Sequence, residues 1–141
     1  MGREEIWDLP EWDGSDGLLA VLYRCRAWEC FPQGNTFLSD SREPLQVGLI
    51  RRPAAAIIAR HEHPSQVRVV SRTQEVLYVR SGRLEVQVYN SRHQRVTERE
   101  LGPGDLWIQL QGGHGFTVLE ECELLEVKQG PYDPMKDKVM F

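Results

Sequence analysis

No apolar run in this sequence reaches the roughly 18 residues that a membrane-spanning helix needs. Basic charge is not in excess either. Lys and Arg number 17 against 21 Asp and Glu, a net charge of −4, which argues against a general nucleic-acid binder. Repeats and low-complexity tracts are absent. The opening MGREEIWDLPEWDG puts acids where a secretory leader needs a basic segment and then an apolar one. Cysteine is sparse and odd in number, Cys25, Cys30 and Cys122, which excludes a disulfide scaffold. Free thiols in a reducing, cytoplasmic compartment are the expectation. The four residues between Cys25 and Cys30 are the wrong spacing for a zinc knuckle. Lysine occurs only at 128, 136 and 138. The remaining basic residues are arginines, whose forked donors suit anionic groups.

What is present is a chain of 141 residues, long enough for one domain with its own core. No stretch sustains a 3.6-residue apolar period. Short apolar runs separated by turn residues predict an all-β sandwich or barrel. The runs are LLAVLYRCR (18–26), LQVGLI, AAAIIA, VRVV, EVLYV, RLEVQVY, VTERELG, DLWIQL, FTVLE and CELLEV. Arg83–Tyr89 alternates most clearly, with Leu84, Val86 and Val88 on one face. Parity also puts Glu75 with Leu77 and Val79, and nominates Ala59, Leu106, Ile108 and Leu110 as further interior positions. Residues 1–44 read as an irregular N-terminal arm with one strand at 18–26 and a loop. Residues 45–130 read as the barrel and 131–141 as a tail lying over the surface or a partner.

Three features carry chemistry. His61-Glu62-His63 on a strand would put two imidazoles on one face, about 7 Å apart, able to converge on one ion. Glu62 would face the other way. Glu75 shares a face with Leu and Val, and a carboxylate there needs a partner. A metal or an arginine would serve. In Gly112-Gly113-His114-Gly115, glycines around one imidazole allow a sharp bend or a close approach, as either a site or a plain turn. His93 lies in the polar turn NSRHQR and reads as exposed. Arg51, Arg68 and Arg72 are candidates for binding an anionic ligand, with Arg52 and Arg60 nearby. Their plainer reading is a solvated polar face.

From about residue 45 to 128 the chain resembles a small single-domain cupin of bacterial type. His61, His63, Glu75 and Gly82 fit the family's first motif, with six residues between Glu75 and Gly82. Gly104, Asp105, Gly112 and His114 fit the second. Eleven residues, Pro64 to Gln74, stand where the family has three or four, and Leu110 replaces its usual Pro.

The resemblance implies a double-stranded β-helix, a jelly-roll barrel. It implies one divalent transition metal (Fe, Mn, Ni, Co or Zn) held by His61, His63, Glu75 and His114. It also implies a homodimer, with apolar cover over Val76 and Tyr78 from Trp7, Trp12 or Trp28 and the strand at 18–26. The expected activity is that of a mononuclear metal-dependent oxygenase, isomerase or lyase, with a non-heme Fe(II) dioxygenase as one form. The substrate would be a small polar or anionic molecule. Two alternatives stay open: a non-catalytic, metal-stabilised binding module, and a metal-free barrel like the sugar-nucleotide epimerases.

Overall fold

A computed structural model describes residues 2–8, 17–24 and 31–141. The expectations placed on Cys25, Cys30, Trp12, Trp28 and the end of the 18–26 strand lie outside the described residues. The chain forms two compact units, residues 1–27 with 72–141, and residues 28–71. Among the described residues there is no helix, and so none long and apolar enough to cross a membrane.

The first unit is a six-stranded, strongly curled antiparallel sheet that forms a half-barrel. Its strands are β1 (Gly2–Trp7), β2 (Leu18–Arg24), β5 (Glu75–Tyr89), β6 (Arg95–Leu101), β7 (Asp105–Gln109) and β8 (Gly113–Lys128). The order is β1-β2-β7-β5-β6, and β8 lies along the other edge of β5. The opening residues, expected to be irregular, thus supply a strand. Gly2–Trp7 pairs with β2 because that strand would otherwise expose an unpaired edge.

The curl follows from register and chain length. Gln109 pairs with Glu75, and Gly113 pairs with Tyr89. Four residue steps from 109 to 113 span at most about 14 Å. A straight β5 would hold its ends about 46 Å apart. The strand must therefore bend on itself, and it bends at 79–84, where its register with β8 slips. Gly82 makes the bend at φ +78°, and a Cβ there would stand 2.0 Å from the Glu121 carbonyl oxygen. The sequence reads two strands, 75–79 and 83–89, where the structure has one long bent strand. Likewise 116–120 and 122–127 merge into β8.

The core is the concave face. Leu77 and Val79 before the bend, and Leu84, Val86 and Val88 after it, are buried together with Leu22, Leu101 and Trp107. Each such side chain contributes about 1.5–3 kcal/mol on burial. Leu22, Trp107 and Leu77 sit side by side in register, so on β7 it is Trp107 that enters this cluster. Leu106 and Ile108, expected inside, are buried on the opposite face beside Val21, Tyr23 and Val76. Every residue of DLWIQ is buried, so the segment lacks the alternation that would reveal which side is which.

Two turns are fixed by buried polar side chains. Asp105 accepts from Arg24 Nη1 at 2.7 Å and from the Gly102 amide at 2.9 Å, holding the β6–β7 turn. Asn90 Oδ1 accepts the Arg92 and Gln94 amides, each at 3.0 Å, and closes the β5–β6 hairpin. Its Nδ2 reaches Asp8 Oδ1 at 3.2 Å.

The second unit contains a two-stranded antiparallel sheet, β3 (Gly34–Phe37) with β4 (Gly48–Arg51). Its hairpin is held by Leu38 N to Val47 O at 2.7 Å and by a turn on Asp40. Phe31, Leu38 and Leu49 are its buried apolar residues among those described. The stretches AAAIIA and VRVV, expected to be strands, are in no regular element. No ladder partner is found for them among the described residues, and Ile57, Val67 and Val69 are over 90% exposed. Ala59, expected in the interior, is exposed too.

Candidate functional site

Glu75 and His114 come together on the concave face of the curled sheet. Glu75 opens β5 in the same row as Ala20, Gln109 and Lys128, facing the way of Leu77 and Val79. His114 opens β8 opposite Val88, facing the way of Val86 and Phe116. The bend in β5 turns these rows toward one another. His114 Nε2 lies 3.0 Å from Glu75 Oε2, with side chains 24% and 13% exposed. Gly112 makes the sharp entry into β8 at φ +73°, where a Cβ would meet the Tyr89 carbonyl oxygen at 2.3 Å. The glycines around His114 thus do serve a bend.

The pair lines a cavity of about 370 Å³ together with Phe116, Lys128, Met140 and Phe141. The hydrogen bond from His114 holds the Glu75 carboxyl below its ordinary value of 4.5. Burial works the other way, and the Lys128 ammonium adds to the lowering. Lys128 itself is raised, first by its hydrogen bond to Glu126, at 2.9 Å. His114 Nδ1 is buried and has no hydrogen-bond partner among the described residues.

The 3.0 Å separation is that of a hydrogen bond, and it is also compatible with two right-angle ligands of one ion. A ring nitrogen and a carboxylate oxygen each about 2.1 Å from one ion, at right angles, lie about 3.0 Å apart. The donor set therefore fits two adjacent positions on such an ion. The orphaned Nδ1 departs from the pattern in which a ligating histidine donates its second N–H to an acceptor.

The other two expected ligands belong to the second unit. His61 and His63 are exposed and outside any strand, so the parity argument that placed them on one face does not apply. Their rings are nonetheless adjacent, centroids 5.2 Å apart and edge to face, with His61 Nδ1 2.9 Å from the Ala59 carbonyl oxygen. Glu62 is exposed. Among the described residues no group of three or more His, Cys, Asp and Glu side chains is arranged to hold a metal.

The candidate arginines have local engagements. Arg51 Nη1 donates to the Phe31 carbonyl at 2.7 Å, Arg68 reaches Gln66, and Arg72 hydrogen-bonds Gln111. The cations lining the cavity are instead Lys128 and Lys138, two of the three lysines in the chain. Lys128 was legible only through the register that sets it opposite Glu75. The 138–141 segment carried no sequence signal for the site. Asp105 of the second motif has a structural role, fully buried against Arg24.

Comparison of the chain with family models, with curated proteins and with solved structures finds no match to any of them.

Proposed function

We propose that this chain is a divalent-metal-binding protein of cupin type that acts on a small polar or anionic molecule, as an oxygenase, isomerase or lyase. The observation that carries it is the meeting of Glu75 and His114 at 3.0 Å beside a cavity. The two come from separate motifs far apart in sequence. Glu75 and His114 would hold the ion. A bound divalent ion supplies a Lewis acid with open positions for ligand oxygen atoms. Lys128 would attract an anionic group to the cavity, where the Phe116 ring lies beside the imidazole, centroids 4.9 Å apart. A homodimer and a cytoplasmic setting belong to the same reading.

Elemental analysis tests it. Wild type should carry near one Fe, Mn, Ni, Co or Zn per chain, and His114→Ala should lose it. Bound metal without turnover of any small anion would favour a binding module. No metal in wild type, even after reconstitution, overturns the metal reading.

A second reading is favoured by the direct His114 Nε2 to Glu75 Oε2 hydrogen bond of 3.0 Å, which needs no ion. Glu75 and His114 then form a metal-free acid–base pair. His114 Nδ1 is buried, so a ligand would exchange its proton at Nε2 or at the Glu75 carboxylate, in place of the bond between them.

A further inference from the structure

We propose that residues 138–141 form a strap that closes the Glu75–His114 cavity, with the Phe141 ring as its latch. The proposal rests on reading that cavity as the ligand site. Lys138, Val139, Met140 and Phe141 all line it. The strap hangs from a compact turn, in which Asp133 O accepts from Lys136 N at 3.1 Å and from Asp137 N at 2.9 Å. Asp133 Oδ1 also accepts the Met135 amide at 3.0 Å.

The far end is pinned by rings. Phe141 stacks flat on His93, centroids 3.9 Å apart and planes within 5°. It meets Tyr89 edge to face at 5.3 Å. Its Cζ lies where a Cβ on Gly113 would be only 2.7 Å away, so the glycine leaves room for the ring. His93 takes a left-handed conformation, φ 62°, in the tight hairpin turn that presents its ring. Between hinge and latch little is buried: Val139 is 79% and Met140 88% exposed. A segment held at its ends and free between them opens by local release of one contact, without unfolding the sheet. The strap thus covers the cavity while leaving a low-cost way in.

Carbethoxylation by diethyl pyrocarbonate, followed residue by residue with mass spectrometry, tests the proposal. His61 and His63 are exposed and outside the sheet, so they serve as internal references. Phe141→Ala should raise the modification rate of His114 at least about fivefold, as expected for release of a locally closed segment, with His61 and His63 unchanged. His93→Asn, a residue that tolerates the left-handed turn, removes the stacking partner and should do the same. It also serves if Phe141→Ala fails to fold. Phe141→Tyr should match wild type. An unchanged His114 rate in folded Phe141→Ala or His93→Asn overturns the strap. Cobalt(II) uptake by the same proteins is read separately. Absence of uptake in all of them counts against the metal site, while the modification rates still decide the strap.

Discussion

Glu75 and His114 belong to opposite ends of one ladder, yet their side chains meet at 3.0 Å. In the β5–β8 register Glu75 pairs with Lys128, and His114 pairs with Val88. Only the fold-back of β5 at Gly82 brings the two ends together. Local geometry far from the site therefore controls the site.

Zinc(II) titration of metal-free protein checks the ligand roles. His114→Ala should abolish tight binding. Glu75→Gln keeps the shape but lacks the charge, and should weaken binding at least about tenfold. Equal affinity in wild type and both variants would remove the pair from the metal site.

The same pair sets an acid limit on the metal-free protein. The Glu75 carboxyl sits below its ordinary 4.5 chiefly because of its hydrogen bond with His114. A depressed value means that the unfolded chain binds the proton more readily. The stabilisation is complete above 4.5 and is lost as pH falls through the lower folded value. Urea midpoints measured in chelator, from about pH 6 down to about pH 3.5, should fall for wild type. Glu75→Gln should give a flatter curve, and parallel curves would refute this linkage.

Gly82→Ala should be among the most disruptive of small substitutions. The new methyl would meet the Glu121 carbonyl oxygen at 2.0 Å and the Cys122 Cα at 2.6 Å, at φ +78°. A loss of more than about 2 kcal/mol is expected in chemical denaturation. Zinc binding should fall with it, since the bend aligns the ends of β5.

Asp105→Ala removes a fully buried carboxylate and leaves Arg24, at 28% side-chain exposure, with only Glu4 at 3.5 Å as its carboxylate partner. It also strips the Gly102 amide of its acceptor. A cost of about 3 kcal/mol is expected. Asp105→Asn, which can still accept from Gly102, should cost less.

The dimer expectation has its own check. Leu125 and Val127 project from the outer side of β8 at 60% and 47% exposure. If a second copy covers them, sedimentation should show a dimer for wild type and a monomer for Leu125→Lys. A monomeric wild type would dismiss the dimer.

How much of this was legible in the sequence depends on what each residue needed to know of its neighbours. Period-two alternation suffices for Leu84, Val86 and Val88, since one face of that strand is wet and the other dry. It fails for Leu106–Ile108, which is dry on both. Glu75 and His114 stand out in the sequence because a carboxylate or an imidazole amid apolar or glycine-rich surroundings needs a partner. That they are each other's partner followed only from the bend. The strands expected at 54–59 and 67–70 rested on β-branched composition alone, and composition cannot supply the neighbour that a ladder requires.

The ladder that joins β5 to β8 has one end much nearer in sequence than the other, and loop closure favours assembly from that end. The β5–β6 hairpin is local, closed by the Asn90 turn, and such hairpins form within about 10 μs. β8 must arrive from beyond β7, and its nearest pairing in sequence is Gly113 with Tyr89. Zippering from that end reaches Lys128 and Glu75 last, on the slower timescale of non-local β topology. His114 is thus in place from the start of the zipper and Glu75 only at its finish. A ligand that needs both residues binds only chains whose long ladder has closed from end to end.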